Sequence, residues 1–132
     1  MPDIPWITPT APAPDAEVYV MASRFETETL FGAIKFFLKS PGIIRQIRSA
    51  PGAHGAGLRA RVGSRTFLTL SAWQDRDALY RFARSEPHRT SSRAAAAYMR
   101  ESAFTFWSAK ASDLPLTWEE AERRLAEQKS AH

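Results

Sequence analysis

His88 is the residue whose type and setting best suit chemistry. It follows Ser85-Glu86-Pro87, an interruption of a helical stretch where a side chain can turn into a cavity. The unperturbed pKa of an imidazole suits proton transfer near neutrality. The same ring could ligate the iron of a haem, and Arg89 beside it could hold an anionic group bidentately. The alternative is that His88 caps a helix or sits on the surface next to Glu86, with Arg89 solvated like most of the fourteen arginines. His54 lies among glycines, and nothing in the sequence places it near His88; His132 ends the chain. Two candidate histidines without a carboxylate cluster give no metal signature of the two-His-one-carboxylate kind. The chain has no cysteine, which excludes disulfides, thiolate nucleophiles, zinc–thiolate sites and iron–sulfur clusters. Redox chemistry would therefore use a bound cofactor or the substrate itself.

A second group of residues suggests what such chemistry would act on. Trp73, Phe37, Phe67, Tyr98, Phe104 and Trp107 could wall an apolar pocket, which flat substrates and haem both need. Two or three of the six would touch a ligand and the others would be core. Serines and aspartates lack a nucleophile-elbow context, and the glycines form neither a phosphate loop nor a dinucleotide fingerprint, so hydrolase, kinase and nicotinamide-dependent readings are unsupported. Charge is uneven. Between Thr29 and Gln74 there is no acidic residue, while Lys35, Lys39, Arg45, Arg48, Arg59, Arg61 and Arg65 contribute +7, and the remainder carries −3. Such a block favours an anionic partner, or it is simply a set of solvated side chains. It lacks the aromatic-and-basic interleaving of a single-strand binder, so nucleic acid is not supported as a partner.

These residues must be positioned by elements that the sequence also announces. At 132 residues one domain is expected. Residues 1–16 hold five of the nine prolines and read as an extended Pro-rich arm, with Ile4 and Trp6 available for burial; residues 17–132 form the domain proper. The arm has no basic residue and thus no secretory pattern, and no apolar run could cross a bilayer, so a cytoplasmic chain without a membrane partner is expected. Glu17 to Phe25 alternates as a first strand, with Val18, Val20 and Ala22 on one face and Tyr19, Met21, Ser23 and Phe25 on the other. Glu28 to Lys39 turns helical, with Leu30, Ile34, Phe37 and Leu38 as the buried face and Thr27 or Thr29 as cap. Ser40-Pro41 would restart a short helix through Ile43, Ile44 and Ile47. Gly52 to Arg61 and Ser64 to Trp73 read as a hairpin turning at Val62-Gly63, with Gly63 at positive φ, and the three glycines of the first strand suggest a bulge or a close approach. Asp75 caps a helix bearing Ala78, Leu79, Phe82 and Ala83, and a further helical stretch runs from His88 to about Met99. Ser102 to Lys110 is the last strand, with Phe104 and Phe106 facing away from Thr105 and Trp107. Thr117 to Glu120 is a capping box that opens a final helix.

The order is β-α-β-β-α-β plus a C-terminal helix: an α+β, ferredoxin-like arrangement with both central helices on one face of an antiparallel sheet. The other face would still carry large apolar residues, and pairing with a second copy is the simplest way to bury them.

That order, a strand ending Leu70-Ser71-Ala72-Trp73, a helix opened by Asp75, and Ser85-Glu86-Pro87-His88-Arg89 together resemble the dimeric α/β-barrel superfamily. The branches in view are the antibiotic-biosynthesis monooxygenase-like and spheroidene monooxygenase-like proteins, and the likeness covers roughly Glu17 to Ala109. It implies a homodimer, a pocket between sheet and helices in each subunit, and oxidative chemistry that is cofactor-free or haem-dependent. The position of the axial histidine in the haem-degrading members falls at Thr90 to Arg93 here, so haem would have to use His88. Two functions follow as expectations. One is a monooxygenase-like oxidoreductase acting on a small apolar or aromatic molecule, with His88 as acid/base or iron ligand. The other is a non-catalytic dimeric module binding an anionic small molecule.

Overall fold

The computed structural model describes residues 3–85, 99–114 and 116–130. Within them the chain is an α+β, ferredoxin-like fold with a C-terminal helix. Strand β1 (Asp3–Ile7) comes from the Pro-rich arm. It is followed by β2 (Glu17–Thr27), α1 (Leu30–Arg48), β3 (Ala53–Arg61), β4 (Thr66–Trp73), α2 (Arg76–Arg84), β5 (Met99–Lys110) and α3 (Trp118–Ser130). All pairings are antiparallel and the spatial order is β1-β3-β4-β2-β5. Among the described residues no helix is long and apolar enough to cross a membrane.

The alternation of β2 decides the layering. Val18, Val20 and Ala22 point to one side, where Leu68, Leu70, Ala72 and Trp107 join them. Tyr19, Met21, Ser23 and Phe25 point to the other, towards α1 and α2. Thr29 starts α1 by accepting the Gly32 N–H at 3.0 Å, and Asp75 starts α2 by accepting the Ala78 N–H at 2.8 Å, each satisfying an otherwise orphaned backbone donor.

Helix α1 departs from the sequence expectation in two ways. It runs unbroken through Pro41 instead of restarting there. The proline removes one helical hydrogen bond at a cost of about 3 kcal/mol, but continuing the helix carries Ile43, Ile44 and Ile47 onto the sheet. Burying an isoleucine side chain is worth roughly 1.5–3 kcal/mol, so three outweigh the proline even when two are only half-buried. The buried stripe is also different. Ala33, Phe36 and Phe37 face the sheet, while Leu30, Ile34 and Leu38 are exposed together with Phe31. The helix is apolar nearly all round, so periodicity fits either stripe and tertiary packing selects one.

Gly63 does not supply the positive φ of the hairpin. A single 3₁₀ turn, Val62–Ser64, is followed by Arg65 at φ 56°. The loop between the paired Arg61 and Thr66 is therefore four residues long, with its left-handed residue last. The Arg65 carbonyl accepts the Thr27 N–H at 3.0 Å, which ties that conformation to the end of β2.

The sheet face expected to meet a second copy is covered by the chain's own C-terminal helix. Ala121 and Leu125 of α3 are buried against Val18, Val20, Leu68, Leu70 and Trp107, with Leu114, Leu116 and Trp118 packed around them. Arg61 reaches Glu122 at 3.1 Å, and the guanidinium groups of Arg59 and Arg124 lie over Trp118 and Trp107 at 5.3 and 4.4 Å. Thr117 caps α3 through the Glu120 N–H at 3.2 Å, while the Glu120 carboxylate turns to Arg124 and Arg123.

Candidate active site

A cavity of about 340 Å³ lies between the sheet and the helices α1 and α2. Its floor is the helix-facing side of β2, β3 and β4, with Met21, Ser23, Leu58, Thr69, Ser71 and Trp73 exposed to it. Phe36, Ile43, Ile44 and Ile47 of α1 and Leu79 and Phe82 of α2 form the roof, and Phe104 of β5 stands at the rim. The register explains this floor. Ser23 is opposite Thr69 and Met21 is opposite Ser71, so two neighbouring cross-strand pairs of one face meet beneath the helices. The volume suits a small ligand, and the wall contains no charged residue among those described.

Polar groups in this wall are few and specific. The Trp73 indole N–H donates to the Ser71 Oγ at 2.9 Å, and the Ser23 and Thr69 hydroxyls are hydrogen-bonded to each other. Ser23 and Ser71 are buried. Buried Trp73 packs its ring 5.1 Å from that of Phe82, which fixes it as a flat wall.

Of the aromatic residues singled out by sequence, Trp73 and Phe104 line this cavity. Phe104 packs edge-on to Phe25 at 5.5 Å and is 43% exposed, as befits a rim. Phe67 and Phe37 do not line it. Phe67 is fully buried behind Phe36, with ring centroids 4.5 Å apart, and Phe37 belongs to the same cluster. Trp107 lies on the opposite face: it pairs with Val20, so its side chain goes with Val20 towards α3. Tyr98, His88 and Arg89 fall outside the described residues, as does the helical stretch expected after Pro87. His54 has its Nδ1 2.7 Å from the Thr10 carbonyl, in a separate recess against the arm, beside Trp6 and Pro12.

The hydroxyls of Ser23, Thr69 and Ser71 and the isoleucines of α1 are site residues that sequence reasoning did not single out. The hydroxyls had a signal, since each interrupts an otherwise apolar alternating face. The isoleucines had none, because their part in the roof depends on α1 passing through Pro41.

The basic block does not gather at the cavity. Arg45 and Arg48 end α1, and Arg59 and Arg61 are turned to α3 on the far side of the sheet. The Tyr80 hydroxyl raises the pKa of the Arg76 guanidinium that stacks over its ring at 4.8 Å, and neither residue lines the cavity. The described wall does not fit haem. It holds no histidine, tyrosine or cysteine to bind iron, only the thioether of Met21 as a soft donor, and no arginine or lysine for the propionates. No group of three or more metal-ligating side chains exists among the described residues.

Comparison with known proteins gives the following. The family described as "Domain of unknown function (DUF3291)" matches residues 33–131, most of the chain. No curated protein matches it. Among solved structures, SnoaB of Streptomyces nogalater, a cofactor-independent oxygenase, is similar with 18% identity and a TM-score of 0.57 over 72% of this chain and 95% of that one. A Nitrosomonas europaea protein assigned as an antibiotic biosynthesis monooxygenase has 16% identity and a TM-score of 0.64 over 76% of this chain and 93% of its own. Rv0793 of Mycobacterium tuberculosis has 21% identity and a TM-score of 0.58 over 70% and 93%. At these identities the likeness is one of fold: the chain has the fold of the antibiotic-biosynthesis monooxygenase-like proteins.

Proposed function

We propose that this chain, which belongs to the DUF3291 family, is a monooxygenase-like oxidoreductase that takes a small apolar or aromatic substrate into the cavity between sheet and helices. The observation that carries the reading is the cavity itself: about 340 Å³, uncharged among the described residues, and walled by the fixed ring of Trp73. A fold shared with a cofactor-independent oxygenase supports it. An electron-rich aromatic held there is shielded from water, and once it loses a proton it can itself supply electrons to dioxygen, which removes the need for iron or flavin. His88 is the acid/base residue of this proposal, because the side-chain type suits proton transfer near neutrality. The proposal uses no haem: the described wall offers only the Met21 thioether to iron, and His88, the residue a haem would have to use, lies outside the described residues.

The other reading, a non-catalytic module for an anionic small molecule, would need the basic block at one place. Arg59 and Arg61 are instead engaged with α3. A homodimer belongs to the proposal only through a surface other than the sheet face under α3.

The test is oxygen uptake and ligand binding with a panel of polycyclic phenols. Binding with oxygen consumption is expected. His88→Ala, with an unchanged circular dichroism spectrum, should lower the rate by about 10²- to 10⁴-fold, the usual contribution of a positioned acid or base. A panel that neither binds nor consumes oxygen would sink the reading, and His88→Ala at full rate would remove that residue from it.

A further inference from the structure

Three hydroxyl groups share the cavity floor, and their hydrogen atoms do not balance. Ser23 and Thr69 bond to each other, which uses one of their two protons. The Ser71 Oγ accepts the Trp73 N–H, so its own proton is not used there. Among the described residues these are the side-chain hydrogen bonds the three hydroxyls make. Two hydroxyl protons therefore point to no acceptor among the described residues, on the floor of a cavity whose described wall is otherwise apolar. A buried donor without a partner is costlier than a hydroxyl oxygen with a spare lone pair. Thr69 and Ser71, two residues apart on one face of β4, stand about 7 Å apart along the strand, so each serves its own stretch of the floor and a ligand oxygen bonds to one of them at a time.

We infer that Ser71 and the Ser23–Thr69 pair form a polar notch with a donor at each end, either of which selects a ligand carrying an acceptor oxygen, a carbonyl or a phenolate, and orients it with that oxygen towards the sheet. This rests on the reading of the cavity as the substrate site. The notch is a specificity and positioning device: it decides which edge of a flat molecule lies against β4 and which stays beneath Ile43, Ile44 and Phe82. Trp73 contributes doubly, as a flat wall and as the donor that fills one lone pair of Ser71 and leaves its hydrogen to point elsewhere.

The experiment compares indane with 1-indanone, two bicyclic aromatics differing by one carbonyl oxygen, with dissociation constants read by ligand-observed NMR on the full chain. The absence of cysteine removes thiol addition as a complication. The wild-type chain should bind 1-indanone about 3- to 10-fold more tightly than indane, the worth of a neutral hydrogen bond. Thr69→Val and Ser71→Ala should each erode that preference, read as the ratio of the two constants, with an unchanged circular dichroism spectrum as the control for folding. Equal affinities in the wild-type chain, or variants that weaken both compounds alike, would overturn the notch and leave the cavity reading standing. If neither compound bound, both would fall.

Discussion

A Cβ placed on Gly55 would come within 1.8 Å of the Trp6 ring, so the indole of β1 lies against the backbone of β3 where a side chain would otherwise stand. The contact adds a side-chain anchor to an edge strand that is also paired with β3. Gly55→Ala should lower stability by about 1–3 kcal/mol, the usual penalty of forcing extra carbon into packed space, read as a shift of the denaturant midpoint. Because the loss comes from that ring, Gly55→Ala added to Trp6→Ala should cost much less than it does on its own. Equal losses in both backgrounds would place the strain elsewhere. The same scale shows what sequence could say about the site. Asp75 and Thr29 were legible as caps because a cap is recognised by its own type and that of the next few residues. Phe104 and Trp107 were legible as facing opposite sides of β5, but which side holds the cavity depends on the pairing of β5 with β2.

Helix α1 is where local pattern misleads most, because two stripes of its surface are equally apolar. Phe31 and Leu38 are 76% and 72% exposed, whereas Ile47 is 7% exposed beneath α2. Phe31→Gln and Leu38→Gln should each change the unfolding free energy by no more than about 0.5 kcal/mol, while Ile47→Ala should cost about 2–5 kcal/mol. Chemical denaturation of the three variants checks both halves. A large loss at Phe31 or Leu38 would mean that this surface is covered in solution. The continuity of α1 through Pro41 also matters to function, since without it Ile43 and Ile44 would not roof the cavity.

At the scale of the molecule, the sheet is sandwiched. The helices α1 and α2 enclose the candidate site on one face, and α3 seals the other with Ala121, Leu125 and three arginine contacts. A chain ending after Leu114 would uncover Val18, Val20, Leu68, Leu70 and Trp107, a patch that a folded chain rarely leaves exposed. Sedimentation velocity should show that this truncated chain associates or precipitates at concentrations where the full chain keeps its sedimentation coefficient. Unaltered sedimentation would mean that α3 is dispensable to that face. Local sequence was enough for the order of the central strands and of the helical segments between them, the caps, and the alternation that separates the faces of β2 and β4. These are set by a residue's type and its near neighbours, so they can be read along the chain. The tertiary structure alone decided which stripe of α1 is buried, on which side Trp107 lies, and that the final helix covers the open face. Each of those depends on contacts between residues far apart in sequence, such as Val20 with Trp107 and Arg61 with Glu122, whose energies no local pattern contains.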